Sequence, residues 1–148
     1  IKIAWFGDMN NVLFSLAEAL FFIKNTTIDV FTNEKIFDQN KNLFSKINNI
    51  NFHFSLKSNI ISNVDCIMTD VFSSMNDKKN KDLLLSNFQV NEVIMSKTKS
   101  NCVFMHCLPA KIGSEVSENV IKGKKSIVLK QAKNRMISQR GILKWLNI

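Results

Sequence analysis

The chain has little of what breaks structure up: one proline, Pro109, and four glycines in 148 residues. No Pro/Gly-rich linker divides it, and no internal repeat or low-complexity tract is found. One domain over residues 1–148 is expected, long enough to enclose a hydrophobic core. The lone glycine of Gly7-Asp8-Met9-Asn10-Asn11-Val12 excludes a dinucleotide loop, whose further glycines let the backbone approach a pyrophosphate. Nor is there a P-loop, so chemistry without a cofactor is expected. The three cysteines, Cys66, Cys102 and Cys107, are odd in number and lack paired spacing. That excludes a disulfide framework and offers no zinc pattern; a reducing cytoplasm fits. Long apolar runs are missing too. The longest, residues 12–23, is interrupted by Ser15 and Glu18, too short and mixed to span a bilayer. No signal peptide is visible, and because the chain begins at Ile1, directly in a strand-like segment, further sequence upstream is expected.

Charge is plentiful but not organised. Twenty Lys+Arg against 12 Asp+Glu leave a formal charge of +8. The lysines are spread along the chain and do not interleave with aromatics as on a nucleic-acid platform. A biased background composition accounts for them, and no nucleic-acid partner is expected.

What the sequence does contain is alternation. Short apolar, β-type runs at residues 1–6, 28–31, 51–54, 65–69, 102–105 and 126–129 are separated by helical stretches. The helices are expected from an N-cap at Asn10 or Asn11 to about residue 23, then over 34–47, 59–64, 78–88, 90–97, 115–120 and 132–146. The dense apolar positions of the first predict a helix covered on more than one side. This rhythm predicts an α/β fold, a Rossmann-like, three-layer, doubly wound domain with a mainly parallel sheet. Such sheets bind ligands beyond the carboxyl ends of their strands, at the topological switch point.

The residues just past the predicted strand ends are therefore the candidate site. They are Asn10 and Asn11, then Asp70, Ser73 and Ser74, then His106 and Cys107, with Asn134 and Arg135 early in the last helix. A carboxylate, amides, hydroxyls and a thiol suit a zwitterionic amino acid: amides donate to its carboxylate and Asp70 pairs with its ammonium. Taken singly each has a plainer role. An Asn there caps a helix, Asp70 starts a turn, Cys107 is a small apolar residue, and His106 is structural. Arg135 at a helix start opposes the helix dipole and so points to an anionic partner.

Five segments, in order, resemble the ornithine-binding, C-terminal domain of ornithine carbamoyltransferases. They are Trp5-Phe6-Gly7-Asp8-Met9-Asn10-Asn11-Val12-Leu13-Phe14-Ser15; Asp70-Val71-Phe72-Ser73-Ser74-Met75; Phe88-Gln89-Val90-Asn91-Glu92; Phe104-Met105-His106-Cys107-Leu108-Pro109-Ala110; and Glu115-Val116 with Gln131-Ala132-Lys133-Asn134-Arg135. The resemblance implies that Asn11, Asp70, Ser74 and Met75 hold the α-amino and α-carboxylate groups of L-ornithine, Met75 through its backbone. It places Cys107 and Leu108 beside the reacting δ-amino and carbamoyl groups, His106 next to them, and Arg135 on carbamoyl phosphate. Cys107, His106 and Arg135 are the catalytic candidates, in a route to citrulline within arginine biosynthesis. An alkylamine of pKa roughly 10 must lose a proton to attack, and Cys107 is a candidate to orient it or accept that proton; no covalent thiol intermediate is needed.

There are departures. Asn76 stands where a glycine usually follows Ser-Met, and Ala110 where a basic residue is often found. The Ser-x-Arg-Thr-Arg phosphate motif belongs to an N-terminal, carbamoyl phosphate-binding domain absent from this chain. The resemblance thus implies a half-site that does not turn over alone, a monomeric fragment, and a full-length homotrimer. Alternative acceptors are putrescine or an acylated ornithine; a basic, non-enzymatic binding module is the remaining alternative.

Overall fold

A computed structural model describes residues 1–73 and 81–147. Five strands form one parallel sheet: β1 Lys2–Phe6, β2 Thr27–Phe31, β3 Ile50–His53, β4 Cys66–Thr69 and β5 Val103–His106, in the order β3-β2-β1-β4-β5. The helices are α1 Asn11–Phe21, α2 Glu34–Asn40, α3 Ser58–Ile61, α4 Asp82–Leu85, α5 Glu92–Ser96, α6 Glu118–Ile121 and α7 Val128–Trp145. The expected α/β, doubly wound architecture is what forms. No helix among the described residues is long and apolar enough to cross a membrane.

The central strands are apolar on both faces, as a sheet covered on both sides demands. Ile3 through Phe6 on β1 and all of β4 are buried. Trp5, Phe6, Phe31 and Phe104 are among the largest fully buried side chains, and Phe6 stacks on Phe31 at 4.8 Å between centroids. Each such burial contributes about 2–3 kcal/mol. From β1 the chain winds outward through β2 to β3, then returns to place β4 on the other side of β1. The switch point therefore lies between the carboxyl ends of β1 and β4, where Asp8–Asn11 and Asp70–Ser73 emerge.

Several sequence expectations change in the fold. The helix expected over 34–47 ends at Asn40, whose side chain bonds back to the Ile36 carbonyl (2.8 Å) and whose backbone leaves helical values (φ −120, ψ −8). A single 3-10 turn, Lys41–Phe44, follows. The run 126–129 is not a strand. Ser126 makes one bridge to Phe104, and α7 begins at Val128. Its β-branched residues read as extended, but the chain departs from the edge of β5 after the pair of bonds through Lys125 and Ile127. The helix expected over 115–120 starts only at Glu118, capped by Ser117, because Val116 is held extended by bridges to Val90 and Ile112. Of the helix expected over 78–88, residues 82–85 are α-helical and 86–88 a 3-10 turn; 78–80 lie outside the described residues. α1 fully buries only Leu13 and Ala17, and Phe21, Phe22 and Ile23 at its end are exposed, so it is covered on one side only.

Candidate active site

The loop after β1 is built around Asn10. Its Oδ1 accepts the amide protons of Val12 and Leu13, both at 3.1 Å, which caps α1 and contributes about 1 kcal/mol. The same side chain donates its Nδ2–H to Asp70 Oδ2 at 2.8 Å, tying the end of β1 to the end of β4. Because Asn10 does the capping, Asn11 stands exposed as the first residue of α1, turned to the cleft. Both alternatives for the cap were legible in sequence; only the backbone geometry chooses between them.

Asp70 is 8% exposed. Its Oδ1 accepts the Cys107 thiol proton at 3.0 Å while Oδ2 takes Asn10. Both partners are neutral, and among the described residues Asp70 has no cationic partner. The neighbouring carboxylate, Asp8, is satisfied differently: Lys81 Nζ lies 2.8 Å from its Oδ2. Lys81 also donates its backbone N–H to Ser73 Oγ at 2.9 Å, which brings the chain on either side of 74–80 together. The resulting cleft of about 430 Å³ is lined by Asp8, Asn10, Asn11, Phe14, Asp70 and Lys81 among others, within the size range of small-molecule sites. One buried carboxylate without a cation, at the rim of a cleft, suits an ammonium group. Ser74 and Met75 lie outside the described residues.

Behind Asp70 is the loop that follows β5. His106, 1% exposed, accepts the Leu108 N–H on Nδ1 at 2.9 Å, so its ring proton sits on Nε2, facing Glu115 Oε1 at 3.2 Å. Its backbone N–H donates to Gln131 Oε1 at 3.1 Å. Leu108 adopts a left-handed conformation (φ 54) and precedes a cis Leu108–Pro109 bond. For a leucine that φ costs about 1–2 kcal/mol, which the bond to His106 helps to offset. Leu108 does not line the Asp70 cleft; it faces a second hollow with Ile121 and Ile127. Arg135 is exposed on α7, the eighth residue of that helix rather than near its start, so the dipole argument for an anion does not apply. It is near enough to Cys107 for its charge to favour the thiolate.

That favour is small beside the opposing effects. Burial, then the hydrogen bond and charge of Asp70, push the Cys107 thiol from 9.0 up to about 12. Cys107 is thus a protonated donor at neutral pH although the residue is exposed. A raised thiol pKa delays ionisation as pH rises, so at pH 8 the thiolate is roughly a thousandfold scarcer than in an ordinary cysteine. Iodoacetamide should label folded Cys107 at least about 100-fold more slowly than the denatured chain, with a rate still climbing above pH 10. Peptide mapping reads this directly, and a plateau near pH 9 would contradict it. Asp70, His106 and Cys107 also place one ligand-type atom each within 4.8 Å of the others. A metal there would have to displace the Asn10, Cys107, Leu108 or Glu115 bonds just described.

Residues that sequence reasoning left without a role complete the frame. Gln89 donates to the carbonyls of Gly113 (2.7 Å) and Ser114 (3.0 Å), and Glu92 accepts from Ser117 (2.9 Å) and Asn119 (2.5 Å). The segment Phe88–Glu92 therefore braces the loop after β5. Asp8, Lys81 and Glu115 were equally unassigned; Asp8 and Glu115 lay within the recognised segments, but nothing in their spacing set their partners.

The match to known proteins covers the same ground. Residues 1–146 fit the model of the aspartate/ornithine carbamoyltransferase Asp/Orn-binding domain. The chain belongs to that family. It is 39% identical over 148 residues to an ornithine carbamoyltransferase of Nitrobacter winogradskyi, covering 97% of this chain and 47% of the relative. The crystal structure of the ornithine carbamoyltransferase from Thermus thermophilus superposes with a TM-score of 0.81 at 29% identity, over 97% of this chain and 47% of that one. That from Burkholderia thailandensis gives 0.82 at 27%, over 98% and 47%. The chain spans about half the length of the curated relatives it matches. Within the family's Asp/Orn-binding domain, the Asp70 cleft sits at the carboxyl edge of the sheet, and two of the segments recognised in sequence, 5–15 and 70–75, supply most of its lining, with Asn40, Leu43 and Lys81 from outside them.

Proposed function

We propose that this chain is the ornithine-binding half of an ornithine carbamoyltransferase. In that reaction the ornithine δ-amine attacks the carbamoyl carbon of carbamoyl phosphate, the carbon–oxygen bond to phosphate breaks, and the amine gives up a proton to yield citrulline and phosphate. The observation that carries the reading is Asp70: buried, without a cationic partner among the described residues, and at the rim of the cleft. In this reading Asp70 takes the α-ammonium group and Asn11 the α-carboxylate, and the family resemblance adds Ser74 and Met75 to the residues that hold these groups. Cys107 donates to Asp70 and orients it; a thiol with its pKa near 12 is a poor acceptor for the amine proton at neutral pH. His106 acts through the loop it holds, since both ring nitrogens are engaged. Leu108 borders the carbamoyl group, and Arg135 supplies a positive charge toward carbamoyl phosphate.

The rest of the enzyme would supply the main phosphate contacts, at a helix N-terminus with arginines, and the homotrimer interface. This chain alone would be a monomer without turnover. The unpaired cysteines support a cytoplasmic setting, and the product supports a place in arginine biosynthesis. The spread lysines support no nucleic-acid partner. The test is carbamoylation by the full-length polypeptide containing this chain, with ornithine, putrescine and N-acetylornithine as acceptors. Ornithine should exceed either alternative by about 100-fold in kcat/KM, because N-acetylornithine masks the ammonium that buried Asp70 awaits and putrescine lacks the carboxylate assigned to Asn11. Faster use of putrescine would sink the assignment.

A further inference from the structure

Glu115 is fully buried, yet it touches none of the groups assigned to substrate. Its Oε1 accepts from two donors at once, His106 Nε2–H at 3.2 Å and the Lys111 amide at 2.5 Å, and Oε2 has no hydrogen-bond partner among the described residues. The extended Val116 beside it, bridged to Val90 and Ile112, holds Glu115 inside rather than letting α6 begin earlier. Gln89 fixes the carbonyls of the two residues before it. Much local structure is thus committed to aiming one carboxylate at one imidazole. The consequence runs outward. A proton kept on Nε2 leaves Nδ1 bare to accept Leu108 N–H, which sets the left-handed turn at Leu108 and the direction of Cys107 toward Asp70.

We propose that Glu115 is a positioning residue for the carbamoyl-transfer site, acting as a hydrogen-bond acceptor that fixes the His106 tautomer and through it the Cys107–Leu108 turn. This rests on the functional reading above for its effect on turnover, but not for its effect on the loop. Glu115→Leu removes the acceptor at similar volume; Glu115→Gln keeps an oxygen for both donors.

In the full-length polypeptide, Glu115→Leu should lower kcat about 10- to 100-fold, as loss of an orienting partner does, while KM for carbamoyl phosphate changes little. Cys107 should become alkylated about tenfold faster as its bond to Asp70 loosens. Glu115→Gln should stay within about threefold of wild type in both, since the amide oxygen accepts as the carboxylate did. Unchanged Cys107 labelling in a folded Glu115→Leu, or a Glu115→Gln defect as large as that of Glu115→Leu, would overturn the proposal. If Glu115→Leu does not fold, nitrogen NMR of the wild-type protein labelled in histidine decides: a His106 proton on Nε2 supports the assignment, and one on Nδ1 overturns it. Should the wild type make no citrulline, the functional reading fails while labelling and tautomer still judge the positioning role.

Discussion

Asp70→Asn is expected to raise KM for ornithine by about 100-fold or more in the full-length polypeptide. A hydrogen bond to a charged group is worth about 1.5–3 kcal/mol, and a neutral amide forfeits that toward the substrate ammonium. It also presents an NH₂ group where two donors already converge, so either Asn10 Nδ2 or the Cys107 thiol is left facing another donor. Together these reach roughly 3 kcal/mol, or about two powers of ten. Asp29→Asn is the control. Asp29 pairs with His53 at 2.8 Å across β2 and β3, away from the cleft, and its loss should leave KM unchanged. An Asp70→Asn enzyme with KM within threefold of wild type would remove the central residue from the proposed site.

The largest expected loss of stability comes from a methyl group. Gly7 has φ +117, and a Cβ there would lie 2.5 Å from Phe72 Cε1 and 2.8 Å from Cδ1. Neither partner can retreat easily. Phe72 is 1% exposed, and the Gly7 amide is held by the Phe31 carbonyl at 3.0 Å. Backbone strain of about 1–3 kcal/mol and overpacking of similar size add, so Gly7→Ala should destabilise the protein by about 3–4 kcal/mol, a large share of a typical stability. Urea unfolding measures it; a loss below about 1 kcal/mol would show that the loop can move. Because Phe72 follows Asp70 by two positions, the variant should also bind ornithine more weakly in proportion to any shift of that loop.

The elements and the site residues differ in how readable they were. Strands β1 and β4 follow from continuous apolar runs, and the residues beyond them, Asn10, Asn11 and Asp70, were candidates on that ground alone. The strand expected over 126–129 failed because β-branched content reports how a residue fits a sheet, not whether a neighbouring strand offers more than one pair of bonds. Arg135 was placed near a helix start for the same reason: losing that strand moved the start of α7 back to Val128. His106 was a site candidate from its place at a strand end, structural when taken singly, and a catalytic candidate only through the resemblance. Its burial and its bonds to Glu115 and Leu108, nine and two residues away, were not legible along the chain.

By itself, then, the sequence determined the α/β alternation, the strand ends that carry polar residues, and the resemblance in five ordered segments. These are local properties, set by hydrophobic period and turn chemistry within a few residues. Only the tertiary structure decided that Asn10 caps while Asn11 faces the cleft, that Asp70 takes neutral donors while Asp8 takes Lys81, and that Glu115 stands behind His106. Asp70 meets Asn10 across 60 residues of chain and Cys107 across 37. Such contacts are chosen by which strands lie side by side, and no pattern along the chain encodes that order.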